Sequence, residues 1–137
     1  MSIIDFETAD MMFTEFADNW RIKTDTSKFK PEDVDSFEQA KERIIDAYMD
    51  GRLENIDSKT LEYTFAFPED LGCTTIKIRR PRGATYMEAD SGKKDDAMKK
   101  MFYMIAEMTG KPVNFYSKVD GVDIKTLTAI STLFFSS

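Results

Sequence analysis

The chain has 137 residues, 42% hydrophobic and 32% charged, with a net charge of −6, a globular balance that is too apolar for a disordered chain and too charged for a membrane one. Histidine is absent and Cys73 is the single cysteine, which excludes Ser-His-Asp and Cys-His catalytic arrangements, histidine-based zinc sites and an internal disulfide, and suits a reducing compartment. The charge is divided: 18 acids stand against 8 bases through Asp70, and 7 acids against 11 bases from Leu71 onward, a split that can steer partners or bring subunits together head to tail.

In chain order, Ile3 to Trp20 is rich in Met and Phe. Phe6, Asp10, Phe13 and Ala17 fall at helical spacing, which predicts a short amphipathic helix. The opening residues lack a basic segment followed by an apolar core, which argues against a secretory signal. Lys23 to Asp35 is mostly polar and interrupted by Phe29 and Pro31, so it reads as a loop. Residues 1–35 are therefore expected to form a flexible or loosely packed N-terminal segment of a single domain, 1–137. Asp35 or Ser36 opens a clear helix in which Phe37, Ala40, Ile44, Ala47 and Tyr48 share a face, and Gly51 is its left-handed stop. Leu61, Tyr63, Phe65 and Phe67 alternate with polar or small residues, and so do Ile76 and Ile78. These segments, about 60–67 and 74–80, are expected to pair as a hairpin that Arg80-Pro81 ends. Ala84 to Lys94 reads as a polar connector. Asp95 or Asp96 is expected to cap a helix whose Met98, Met101, Phe102, Ile105 and Met108 form an apolar stripe before Gly110. Val113 to Val119 suits one helical turn or two, and a last helix from about Val122 stacks Leu127, Ile130, Leu133 and Phe134. The fold class expected is α+β, a small hairpin packed with several amphipathic helices, because a hairpin alone is marginal in water.

Few constellations in the sequence carry chemistry. Lys77, Arg79, Arg80 and Arg82 form a basic cluster with Lys77 and Arg79 on one strand face. It is short, lacks interleaved aromatics and sits in an acidic protein, which favours a solvated face or a protein contact over nucleic acid. Glu32-Asp33 with Asp35, and Asp95-Asp96, match no calcium loop and read as helix-start charges. Gly92-Lys93-Lys94 lacks the upstream glycine and the following Ser or Thr of a phosphate loop. No catalytic residue, cofactor or metal is expected. Met98, Met101, Met104 and Met108 with Phe102 and Tyr103 cover more of their helix than one stripe needs; they either fill the core or offer an adaptable surface for apolar segments. Leu133-Phe134-Phe135 carries the same two readings.

Three segments taken together resemble a known family: Thr75-Ile76-Lys77-Ile78-Arg79-Arg80-Pro81-Arg82-Gly83, then Met104-Ile105-Ala106-Glu107-Met108-Thr109-Gly110-Lys111-Pro112, then Tyr116-Ser117-Lys118-Val119-Asp120-Gly121-Val122-Asp123. A strand ending in Arg-Pro, a helix ending near Thr-Gly and an Asp-containing turn before a final helix are similar to the tail assembly chaperones of long-tailed bacteriophages and prophages. The resemblance covers about residues 67–135. It implies a non-enzymatic protein of the host bacterial cytoplasm, often self-associating, that coats the elongated tape measure protein until the tail tube polymerises around it. On that reading Met101, Met104, Met108, Phe134 and Phe135 are the expected partner contacts, and Arg79, Arg80 and Arg82 position the partner electrostatically. The competing expectations are a structural tail or head–tail connector component, and a small nucleic-acid-binding regulator using Lys77 to Arg82.

Overall fold

The computed structural model describes residues 3–90 and 97–134. Asp5 opens the first helix, α1 (Phe6–Asn19), by accepting a hydrogen bond from the Thr8 amide at 2.9 Å, which satisfies one of the amides a helix start leaves unpaired. Its buried residues are Ala9, Phe13, Phe16 and Ala17, followed by Trp20 just beyond its end. Phe6 lies outside that stripe and is more than half exposed. Phe16 meets Phe13 and Trp20 edge to face, with ring centroids 6.0 and 4.8 Å apart, an arrangement that adds to simple area burial. The N-terminal segment is thus part of the core and not loosely packed. Its Phe and Ala residues supply the apolar face that a 14-residue helix needs to dock.

The connector is also shorter than the sequence suggests. Helix α2 spans Pro31–Met49, and Pro31 opens it instead of breaking a loop. Lys30 is held extended before the proline, and proline at the first helical position gives up an amide that had no partner there. Gly51 ends α2 at φ +73°, where a Cβ would stand 3.0 Å from the Ile3 side chain. The Ile3 and Ile4 amides both donate to the Met49 carbonyl, so the start of the chain straps the end of α2.

The sheet has three antiparallel strands in the order β1 (Leu53–Asp57), β2 (Thr60–Thr64), β3 (Thr75–Arg79). The β2–β3 pairing matches the expected hairpin, with Leu61 opposite Ile78 and Tyr63 opposite Ile76. Strand β1 was not expected, because Leu-Glu-Asn-Ile-Asp does not alternate. Its inward position opposite Leu61 is Asn55, whose amide donates to the Met12 carbonyl and to Glu15 while its oxygen accepts from Tyr48. The register then slips between Asn55 and Asp57, leaving Ile56 exposed. Strand β2 stops at Thr64, earlier than the alternation implies. Phe65 is buried and still pairs with the Thr74 carbonyl, but Phe67 faces solvent.

Beyond β3 the expected polar connector is helical from its start: α3 spans Gly83–Asp90. Helix α4 spans Ala97–Thr109; the proposed cap, Asp95 or Asp96, lies outside the described residues. Gly110 stops α4 at φ +73°, where glycine alone avoids a Cβ penalty. Val113–Lys118 forms a 3-10 helix, and Asp120 caps α5 (Gly121–Thr132) through the Val122 amide. Helices α1 and α5 pack on α2, and α4 packs on β3 and α5. The strands join them in one hydrophobic cluster through Leu53, Leu61, Tyr63, Ile76 and Ile78. Among the described residues no helix is long and apolar enough to cross a membrane.

Candidate functional site

The Arg-Pro end of β3 meets α4 at a single acid. Glu107 is the only acid of α4. Its carboxylate accepts from the Arg79 guanidinium in a short charge-assisted contact, from Arg82 at 3.3 Å and from the Thr85 hydroxyl at 3.0 Å. Arg79 also donates to the Glu107 backbone carbonyl at 2.6 Å. Desolvation works to raise the Glu107 pKa, but the hydrogen bonds from Arg79 and Thr85 and the charges of Arg79 and Arg82 outweigh it and hold the carboxyl below its ordinary value. Arg80 takes another direction and donates from Nε to the Trp20 carbonyl at 3.0 Å. The three arginines expected to position a partner electrostatically, Arg79, Arg80 and Arg82, thus each have contacts within the chain. Arg79 and Arg82 are paired within the chain, and Arg80 is anchored on the end of α1.

A second acid organises the exit of β2. Asp123, in the first turn of α5, is completely buried. It accepts from the Tyr63 hydroxyl at 2.6 Å, from the Ala66 amide at 2.8 Å and from the Phe67 amide at 3.1 Å. Arg52 stands 3.9 Å away, donates to the Tyr63 oxygen at 2.9 Å and pairs with Asp50 at 3.0 Å. Burial, and then the hydrogen bond to Asp123, push the Tyr63 pKa up, so the hydroxyl stays protonated and remains a donor. This explains why β2 ends where it does. The amides of Ala66 and Phe67 turn from strand pairing to a carboxylate. Among the described residues no buried side-chain nitrogen or oxygen lacks a partner.

The apolar candidates divide. Met104 and Met108 are wholly buried, so they are core residues and present no partner surface; the stripe they share with Ile105 is the face α4 turns inward. Met101 is half-buried, accepts from the Thr132 hydroxyl through sulfur at 3.2 Å and lines a shallow groove with α2 and α5. Phe134 is half-buried with its ring 6.1 Å from Trp20. Phe135 lies outside the described residues. Glu107, Thr85, Arg52, Tyr63 and Asp123 were missed as organising residues. The available signal was a single acid within an otherwise apolar or basic helix, and a second acid three positions after the Asp120 cap.

A different surface has the shape of a contact site. Phe6 and Ile45 form the apolar part of a groove of about 470 Å³ between α1 and α2, walled by Glu38, Glu42, Asp46 and Lys41. Lys41 leans toward Asp10 at 3.9 Å, which leaves the acids in excess. Partial burial first, and then the charges of Glu42 and Asp50, raise the Asp46 pKa. The architecture defines an α+β protein with a three-stranded antiparallel sheet. Comparison with protein-family models, curated proteins and solved structures returns no match.

Proposed function

We propose that the protein is a non-enzymatic tail assembly chaperone of a phage or prophage, acting in the bacterial cytoplasm on an elongated tape measure protein. The observation that carries the reading is that the three segments behind the resemblance form one packed unit. The Arg-Pro strand end reaches the Thr-Gly helix through Arg79, Arg82 and Glu107, the Tyr116 hydroxyl of the third segment meets the Thr109 hydroxyl of the second, and Asp123 fastens that segment to the exit of β2. The partner surface in this reading is the Phe6–Ile45 groove and not the methionine stripe of α4. An apolar floor with acidic walls suits a helix that carries an apolar stripe flanked by basic residues.

Coexpression with a tape measure protein tests the proposal. The chaperone should raise the soluble fraction of that protein, and Phe6→Asp should remove the gain while leaving the thermal melt nearly unchanged, because Phe6 is 58% exposed. No gain in solubility with the unaltered chain overturns the reading. Mass spectrometry of purified particles separates it from a structural role. A chaperone should be absent from the particle, whereas a tail or connector component would be present in many copies.

A further inference from the structure

We propose that the concave surface between the end of α1, the β1–β2 turn and the end of β3 binds the phosphoryl groups of a small, multiply charged ligand. The cavity measures about 500 Å³ and is lined by Arg21, Lys59, Arg79 and Arg80 with the hydroxyl-bearing Ser58 and Thr60. Its size falls in the range of about 300–1,000 Å³ typical of small-molecule sites. No Asp or Glu lines it among the described residues, although acids outnumber bases in the chain by 25 to 19.

The four cations are not equivalent. Arg79 is neutralised by Glu107. Arg80 is anchored by a neutral acceptor, the Trp20 carbonyl, which fixes the guanidinium while leaving its charge uncompensated. The side chains of Arg21 and Lys59 form no ion pair among the described residues. Arg21 is aimed by the turn that ends α1. It sits at φ +57°, with the Ile22 amide bonded back to the Ala17 carbonyl. Lys59 is presented by a turn in which its own amide donates to the Asp57 carboxylate at 2.7 Å. Three uncompensated cations around one concavity therefore meet from three elements far apart in sequence. A guanidinium pairs with phosphoryl oxygens through parallel hydrogen bonds, the ammonium adds a point charge, and the hydroxyls can complete the oxygen coordination.

The charge is local. The cavity's four cations are gathered at one concavity, and the chain as a whole is acidic. That favours a compact anion over a nucleic-acid strand, whose binding grows with the number of phosphates contacted.

Titration of the full-length protein with inorganic pyrophosphate, followed by amide NMR shifts at a fixed ionic strength of about 0.1 M, tests the site. A saturable response confined to residues near Arg21, Lys59 and Arg80 is expected, with citrate binding more weakly. The double variant Arg21→Ala, Lys59→Ala should weaken pyrophosphate binding about tenfold or more. Lys77→Ala, on the exposed sheet face outside the cavity, should leave it unchanged. Both altered sites are exposed, so an unchanged thermal melt verifies that the folds are comparable. The proposal is overturned by no saturation up to roughly 10 mM pyrophosphate, by equal binding of citrate, or by equal loss in the Lys77 variant. Tighter binding of a single-stranded oligonucleotide, with shifts spreading beyond the cavity, would also overturn it.

Discussion

Two carboxylates tie the sheet to the C-terminal helices, and they do so in opposite surroundings. Asp123 on α5 is fully enclosed and holds the exit of β2 through a tyrosine hydroxyl and two backbone amides. Glu107 on α4 is reached from the exit of β3 by two arginines, one of them mostly exposed, and by the Thr85 hydroxyl. The topological task is the same, to stop a strand and fasten its exit to a helix. The physics differs. A buried carboxylate bears a large desolvation cost that only a complete set of partners offsets. Glu107 is only partly desolvated, at 17% side-chain exposure; its charged partners outweigh that cost, and one of them stays open to solvent and salt. The first arrangement fixes the fold and the second adjusts it.

The largest effect should follow from breaking the enclosed member. Asp123→Ala removes the acceptor of three hydrogen bonds and leaves the Ala66 and Phe67 amides, the Tyr63 hydroxyl and the nearby Arg52 without it. The expected loss is about 3–5 kcal/mol, large against the roughly 5–15 kcal/mol total of an ordinary domain. Urea unfolding followed by circular dichroism measures it. A loss below about 1 kcal/mol would mean that water replaces the carboxylate and that the enclosed member is not the stronger one.

Neither tie could be read from the sequence, although much of the surrounding fold could, and the difference has a physical basis. Period and punctuation announced the helical faces of α2, α4 and α5, the β2–β3 hairpin and the glycine stops at Gly51 and Gly110, because each depends on neighbours close in sequence. Strand β1 was hidden because a polar residue, Asn55, fills an inward position and is satisfied by groups about 40 residues earlier. Helix α2 was read short because Pro31 looks like a breaker unless it stands at the first turn. The Met stripe left both core and surface open, and burial decides for core at Met104 and Met108 but not at Met101. In the candidate site, the Arg-Pro run was visible but its acid was not. The pairing of Arg79 with Glu107 joins positions 28 apart, and no local pattern encodes it. The basic cavity is still less legible, since Arg21, Lys59 and Arg80 belong to three separate segments.

A smaller effect, and a sharper test of the comparison, comes from Glu107→Gln. The amide keeps the shape but replaces charge-assisted hydrogen bonds with neutral ones, so a loss of about 1–2 kcal/mol is expected at neutral pH. Because the folded carboxyl is held below its ordinary value of 4.5, the unfolded chain binds the proton more readily than the folded one. The stabilisation is therefore fully present above pH 4.5 and is lost as the pH falls through the lower, folded value. The stability difference between the unaltered chain and Glu107→Gln should shrink below that pH, as read from urea midpoints across an acid series. A difference that stays constant through the acid range would show that the pairing with Arg79 does not depend on the carboxylate charge.

The smallest effect should belong to Arg82. Its side chain is 62% exposed and lies 3.3 Å from a carboxylate that Arg79 already pairs. Exposed pairs of this kind are worth about 0.2–1 kcal/mol because the charges stay hydrated and the long side chain gives up its freedom. Arg82→Ala should therefore cost less than about 0.5 kcal/mol at low salt and nothing measurable near 1 M salt, where the screening length falls to about 3 Å. Asp123→Ala should keep most of its cost under the same salt, since the three groups that hydrogen-bond the carboxylate are neutral and only the longer contact to Arg52 is open to screening. Thermal melts of both variants at the two ionic strengths give the contrast directly. If Arg82→Ala proves as costly as Asp123→Ala, or equally indifferent to salt, then the outer tie is as enclosed in solution as the inner one and the distinction between them fails.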